Sequence, residues 1–321
     1  MNYSFFYKNK FKNLVSFSQT SKDKYDLFLS AYNESFRVQE VFKNINATNK
    51  HWLILPEYRF ENIELLDLKN PIFNYSGKSD WDEDEIILDY YEKNQDLIEG
   101  SRVAIDITGL LRPYIIFLVR LLQSKKILKI DFIYSEPYEY KKKEDTEFSL
   151  DYFRIREIKG CLGSHNPETN NDILFLGSGY DYDKMIVVAK EKKEARKIQV
   201  LGFPSLQADM FQQNILKSNK AEEDAFSGEF DLDSENTILA PANDPFITAQ
   251  LLSDYLNNKK YTNIYLCPLS TKAQALGMAL FYVYECLNTP SSIIFPFSKG
   301  YSRDTTNGIS RIWVYTVELP E

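Results

Sequence analysis

The sequence predicts an α/β protein built from two tandem Rossmann-like units with mostly parallel sheets, related by an internal pseudo-twofold axis. Short apolar runs alternate with longer stretches of helical pattern along the whole chain. The runs are apolar throughout rather than alternating, which is typical of strands covered by helices on both faces. The same order of elements occurs twice, and 321 residues are enough for two domains of ordinary size.

The first part of each unit consists of a strand, a helix and a second strand that ends in proline. These elements are expected at 26–32, 35–46 and 52–56 in copy one, and at 173–179, 182–193 and 200–204 in copy two. An apolar run that ends in small residues, followed by a helical stretch, is typical of a strand and helix in a βαβ unit.

The second part of each unit begins with an acidic turn that opens a helix and continues through a buried strand, a polar turn, an apolar helix and a last strand. The acidic turns are 79–82 and 243–245, the strands 103–106 and 264–267, and the last strands 130–134 and 293–297. The shared order indicates duplication. We assign copy one to residues 1–160, copy two to residues 171–321, and a linker rich in turn-forming residues to 161–170.

This architecture predicts where a ligand would bind. In open parallel sheets, ligands bind beyond the carboxyl ends of the strands. Two units related by a twofold axis bring equivalent turns face to face. We therefore expect the turns at the strand ends of both copies to line one shared cleft.

The charge and cysteine content exclude several classes of protein. The net charge of −8 provides no overall positive field for nucleic acid or anionic membranes, so we expect no direct nucleic-acid binding. The three cysteines are scattered, no secretory signal is evident, and no apolar segment is long enough to span a bilayer. We expect a cytoplasmic protein that does not associate with membranes.

The residues that commonly perform catalysis or bind metals are sparse. The two histidines, His51 and His165, stand in a strand and a loop, and neither has a cysteine at the spacing of zinc ligands. We predict no metal site and no bound cofactor, and we assign no catalytic residue. Whether the chain is an enzyme stays open.

The turn after the first strand of each copy is one candidate for ligand contact. Copy two carries two glycines there, which is half of a dinucleotide-binding pattern without its third glycine. Glycine lets a backbone approach a ligand, and free N–H groups at a helix start attract anions. A tight turn without a ligand is the alternative. The candidate residues are Ser30, Asn33, Gly177, Ser178, Gly179 and Asp181.

The turn after the fourth strand is the second candidate. Lys272 in copy two and Arg112 in copy one stand in the first turn of a helix, where the helix dipole disfavours a cation. An anionic ligand explains both cations, and an ion pair with a nearby carboxylate is the alternative. The polar residues expected beside them are Asp106, Thr108, Ser270 and Thr271.

A third candidate pair is Asn243 and Asp244. Pro245 follows them at the first helical position, so capping of the helix is the alternative to ligand contact. Arg303 and Lys299, near the last strand of copy two, are expected to reach the same cleft.

The chain resembles the CARF-type Rossmannoid sensors and their fused two-copy relatives, the SAVED domains. The segments that carry the resemblance are 106–109 with Arg112, and 269–272, which are similar to the strand, turn and helix of those sensors. The first-strand turns at Ser30 and Ser178 also fit. Two leucines, 110 and 111, stand where those families commonly have a Gly–Thr pair.

The resemblance implies that the chain binds a cyclic oligonucleotide second messenger between its two units and acts in prokaryotic immunity. No effector domain is appended, so a partner protein would have to receive the signal. From the residues, we expect an anionic ligand in the cleft; the resemblance implies that this ligand is of nucleotide type and that the chain signals to a partner protein. Two alternatives stay open, namely a scaffold subunit of a multi-protein complex and an Mg-dependent enzyme acting on a nucleotide or phosphosugar.

Overall fold

A computed structural model describes residues 1–20, 24–61, 69–141, 149–179, 181–207, 210–213, 215–216, 235–257 and 259–321. It shows a mixed α/β protein with two largely parallel sheets and one small two-stranded sheet. Residues 1–160 are called the first half below, and residues 171–321 the second half. No helix in the described ranges is long and apolar enough to cross a bilayer.

The strands that the structure describes are β1 (Tyr7–Phe11), β2 (Tyr25–Ala31), β3 (Ala47–Ile54), β4 (Ile72–Asn74), β5 (Val103–Asp106), β6 (Lys129–Glu136), β7 (Glu139–Tyr140), β8 (Ser149–Glu157), β9 (Ile173–Gly177), β10 (Arg196–Gly202), β11 (Thr237–Ala240), β12 (Ile264–Cys267), β13 (Ser291–Tyr301), β14 (Thr306–Asn307) and β15 (Arg311–Glu318). The helices are α1 (Leu14–Thr20), α2 (Phe36–Asn44), α3 (Glu83–Ile98), α4 (Arg112–Ser124), α5 (Tyr182–Glu191), α6 (Pro245–Leu256) and α7 (Lys272–Phe281). The last of these continues into a π-helical turn over Tyr282–Cys286.

The five parallel strands of each sheet follow the same order. The first sheet runs β4-β3-β2-β5-β6, and the second runs β11-β10-β9-β12-β13. Every residue of β5 and β12 is buried, because helices cover both faces of the central strands. The expectation of mostly parallel sheets is confirmed.

The outer strands are exchanged between the halves. β8 comes from the first half of the chain but pairs antiparallel with β13 in the second sheet. β15 comes from the second half but pairs antiparallel with β6 in the first sheet, and β1 then pairs with β15. The short strands β7 and β14 pair with each other across the halves. Each of the two large sheets therefore contains strands from both sides of the predicted boundary near residue 160.

Local signals at two helix starts are confirmed. Asp82 precedes α3 and forms a capping box with Glu85. Asp244 accepts hydrogen bonds from the first amides of α6, which has Pro245 at its first position. The strand expected at 293–297 is longer than predicted, because the second part of β13 pairs with β8.

An ion pair fixes β8 of the first half against the second sheet and α3. Arg156 donates a hydrogen bond of 2.9 Å to Glu83, and a second contact joins the other guanidinium nitrogen to the other carboxylate oxygen. The backbone N–H of Lys159 also donates to Glu83. The Arg156 guanidinium lies 3.8 Å from the centre of the Phe297 ring on β13. Because Glu83 is only 2% exposed, it depends on these donors.

We expect Arg156→Met to lower the free energy of unfolding by about 3 kcal/mol, because it leaves the Glu83 carboxylate buried with one fewer charged partner. Urea denaturation measures the change. The control is Lys93→Met, which removes an exposed pair with Asp89 on α3 and is expected to change stability by about 0.5 kcal/mol or less. Equal changes in the free energy of unfolding would show that the buried ion pair stabilises the fold no more than the exposed pair does.

The strand exchange predicts that the two halves stay together after the chain is cut. A protease site inserted into the linker, 161–170, should be cleaved, and the two fragments should still elute as one species and unfold together. The reason is that each sheet takes a strand from the other half. Size-exclusion chromatography of the cut and uncut proteins measures this. Separation into two folded fragments without denaturant is the contrary result.

Candidate ligand-binding cleft

One cleft opens at the carboxyl ends of the parallel strands, between the turns of the two halves. The first half contributes residues from the turns before α2 and α4, and the second half contributes residues from the turns before α5 and α7. The sequence-predicted residues among its lining are Asn33, Thr108, Arg112, Ser178, Gly179, Ser270, Thr271 and Lys272. The structure thus brings together residues predicted separately in the two halves.

The cleft is positively charged in a chain that is negatively charged overall. Its described lining includes the cations Arg37, Arg112, Lys272 and Arg303, and it includes no aspartate or glutamate. The whole chain has 46 acidic and 38 basic side chains, so this local composition is the reverse of the average. A concave surface of this kind focuses a positive field on its interior.

Arg112 and Lys272 cross between the halves. The Nε of Arg112, in the first turn of α4, donates a 2.6 Å hydrogen bond to the Ser270 carbonyl before α7. The Nζ of Lys272, in the first turn of α7, donates to the Thr108 carbonyl before α4. Within the described residues neither cation forms a salt bridge and both donate to carbonyls. Burial, and then the nearby Arg37 and Arg112, lower the pKa of Lys272, although the Asp106 carboxylate acts electrostatically on Lys272 and opposes this fall.

The turns of the first half contain their own anion. Asp106, at the end of β5, accepts hydrogen bonds from the Ser30 hydroxyl at 3.1 Å and from the Thr108 N–H at 2.8 Å. The Thr108 hydroxyl pairs with Ser135 on β6. Asp106 is fully buried, and burial raises the pKa of its carboxyl. Ser30 and Asp106 are therefore behind the lining and support it.

The turns of the second half lack that anion. Cys267 ends β12 as Asp106 ends β5, and these residues pair in register with Leu176 on β9 and Ser30 on β2. Burial raises the pKa of the Cys267 thiol, so the thiol stays neutral. In the described part of the chain, the hydroxyls of Ser178 and Ser270 are buried without a hydrogen-bond partner, although both residues line the cleft. Unsatisfied buried hydroxyls are uncommon in folded proteins.

Glycines allow the two turns of each half to touch. A Cβ on Gly109 would lie 2.0 Å from the Ala31 carbonyl oxygen in the first half. In the second half, a Cβ on Gly177 would lie 2.9 Å from the Ser270 hydroxyl, and one on Gly179 would lie 2.6 Å from the Leu269 carbonyl. Tight packing alone is thus a sufficient explanation of the glycines at 177 and 179, without contact to a ligand.

Gly109→Ala should destabilise the fold by about 2 kcal/mol, because the added methyl meets a backbone oxygen that cannot rotate away. Gly77→Ala is the matched control, since a Cβ there meets no atom within 4 Å. We expect the control to change the free energy of unfolding by about 0.5 kcal/mol or less. Thermal or urea unfolding measures both, and an unchanged Gly109→Ala protein would contradict the close packing of these turns.

Four tyrosines give the cleft aromatic surface. They are Tyr58, Tyr134, Tyr140 and Tyr301. The Tyr58 hydroxyl donates to the Gly109 carbonyl at 2.7 Å, which ties the tyrosine to the turn before α4. Burial raises the pKa of Tyr58 to about 12, so this hydroxyl remains a donor at neutral pH. Tyrosine rings provide flat faces on which a nucleobase can stack.

Two cations at the cleft complete its charge. Arg303, which we expected to reach the cleft, does line it, and donates to the Tyr58 carbonyl at 2.7 Å. Arg37 in the first turn of α2 was missed, and it donates to the Thr306 hydroxyl at 3.1 Å and to the Ser135 carbonyl. The signal for Arg37 was present, because it is another cation at a helix start.

The remaining predicted residues lie away from the lining. Asn243 donates to Glu136 at 2.8 Å, and Asp244 caps α6 and pairs with Lys8. Asp181 precedes α5. Lys299 lines a separate pocket beside Trp81 rather than this cleft.

The three aspartates among the candidate residues do not form a metal site within the described chain. Asp106, Asp181 and Asp244 follow or precede three different elements. Within the described residues, no group of three or more histidine, cysteine, aspartate or glutamate side chains is arranged to hold a metal ion.

In comparisons with known proteins, no protein-family model, no curated protein and no solved structure matches this chain.

Proposed function

We propose that the chain consists of two Rossmann-like units related by a pseudo-twofold axis, and that the cleft between them binds an anionic nucleotide-type ligand. The common order of the parallel strands in the two sheets supports the first part. The exchange of β8 and β15 is reciprocal, as in a swapped dimer whose two chains have been joined.

The observation that carries the ligand class is the composition of the cleft. Four cationic side chains and no carboxylate line it in the part of the chain that the structure describes. Arginine guanidinium groups suit phosphate because they donate several hydrogen bonds in a fixed plane. Four tyrosines in the same lining suit nucleobases. Together they favour a molecule that has both phosphate and base, such as a cyclic oligonucleotide second messenger.

The cross-contacts of Arg112 and Lys272 supply a route to signalling. Each donates a hydrogen bond to a carbonyl of the opposite half. An anion that binds these two side chains would therefore weaken hydrogen bonds that join the halves. A ligand shifts a conformational equilibrium only through such differential contacts. A partner protein that recognises the arrangement of the halves would receive the signal, with a role in prokaryotic immunity as the biological setting.

The test is thermal stabilisation by a panel of cyclic oligonucleotides, mononucleotides and the matching nucleosides. Phosphorylated members should raise the melting temperature, because the ligand binds only the folded state, and nucleosides should not. Arg37→Gln should weaken the binding of the best ligand about tenfold by removing a charged donor.

Lys125→Gln is the matched control for this charge change. Lys125 is exposed at the opposite end of α4 from Arg112, and its substitution should leave affinity unchanged. Affinity should also fall as salt concentration rises. The absence of a shift with every phosphorylated compound would remove the proposed function.

A further inference from the structure

The two ends of the cleft are chemically different, although they occupy equivalent places in the two sheets. Ser30 on β2 pairs in register with Asp106 on β5, and Leu176 on β9 pairs in register with Cys267 on β12. Asp106 and Cys267 are the last residues of corresponding strands in the two sheets. The first half has a carboxylate where the second half has a neutral thiol.

The carboxylate satisfies the donors around it. Asp106 accepts from the Ser30 hydroxyl and from the Thr108 N–H, and its charge acts on Lys272. An exogenous anion at this end would meet the Asp106 charge directly behind the turn. In the first half, the hydrogen-bond donors of the turn are thus already satisfied by the Asp106 carboxylate.

The donors of the second half have no such acceptor. The turn at 177–179 packs directly on Leu269 and Ser270, because Gly177 and Gly179 permit the approach. Both Ser178 and Ser270 are 2% exposed and line the cleft, and their hydroxyls have no partner among the described residues. Two buried hydroxyls from adjoining turns need an acceptor.

A buried cation contacts the ring of Tyr301, which lines the cleft. Lys184, in the first turn of α5, is 6% exposed, and its Nζ lies 5.3 Å from the centre of the Tyr301 ring. Its charge acts on the Cys267 thiol, together with that of Arg112. Burial lowers the pKa of Lys184 to about 8, and the Asp181 carboxylate opposes this shift only in part.

We propose that the second half alone holds a phosphate subsite, in which a phosphoryl oxygen accepts hydrogen bonds from the hydroxyls of Ser178 and Ser270 beside the Lys184 ammonium. This inference rests on the proposed function and assigns the phosphate of the ligand to one end of the cleft. The ligand then binds asymmetrically, with its anionic group on the second half. The first half supplies Arg112, which reaches across to the Ser270 carbonyl.

The experiment titrates the full chain with inorganic phosphate and, separately, with a nucleoside monophosphate, by calorimetry. Ser178→Ala and Ser270→Ala should each weaken the binding of both probes about tenfold, or about 1.4 kcal/mol. Both substitutions remove buried hydroxyls that have no partner in the described chain, so melting temperatures without ligand should not fall. Lys184→Met should also weaken binding, and Lys184→Arg should retain most of it.

Ser79→Ala is the control, because it removes the hydroxyl of an exposed serine that lies outside the cleft. It should leave the affinity for both probes unchanged. Equal losses from Ser79→Ala and Ser178→Ala, no loss from either serine of the second half, or no phosphate binding at millimolar concentration would overturn the inference.

The two probes separate this inference from the proposed function. Nucleotide binding that ignores Ser178 and Ser270 leaves the proposed function standing and removes the subsite. Phosphate binding that depends on both serines, with no nucleotide in the wider panel bound, supports the subsite and removes the nucleotide function. Tighter binding of the monophosphate than of phosphate, lost through the same serines, identifies a nucleotide as the source of the phosphate.

Discussion

The structure depends on the contact between two helix starts that face each other across the cleft. α4 and α7 both begin with a cation, and the positive ends of two helix dipoles lie on either side of one space. Arg112 and Lys272 relieve part of this charge by binding carbonyl oxygens of the opposite turn. Carbonyl dipoles do not cancel a full positive charge. The same arrangement that joins the halves therefore leaves a field that favours anions.

The strand exchange keeps the two halves joined. With β8 in the second sheet and β15 in the first, the halves cannot separate without breaking strand pairs. The ion pair of Arg156 with Glu83 adds a buried link between β8 and α3. The turns at the cleft are consequently held by two complete sheets and not by flexible loops, which suits a site that must present fixed donors to a ligand.

Sequence patterns predicted the features that are local. The cap at Asp244 is predicted by an aspartate that precedes a proline at a helix start. The burial of β5 is predicted by its short apolar run. The exchange of β8 was not predictable in this way. A local sequence pattern can indicate a strand, but it does not indicate which sheet edge the strand joins. The partner of Asn243 was also not predictable from its neighbours in sequence, because its amide donates to Glu136 on β6 of the first sheet.

The two ends of the cleft are built from corresponding turns of the two halves, but they differ in their hydrogen-bonding groups. The repeat indicated that Asp106 and Cys267 occupy equivalent strands, and it presented both turns as candidates of one kind. Only the hydrogen bonds distinguish them. Asp106 satisfies the donors of its own half, whereas Ser178 and Ser270 remain without an acceptor in the described chain. Because a buried hydroxyl without a partner destabilises the fold, an anion that accepted hydrogen bonds from both serines would stabilise it.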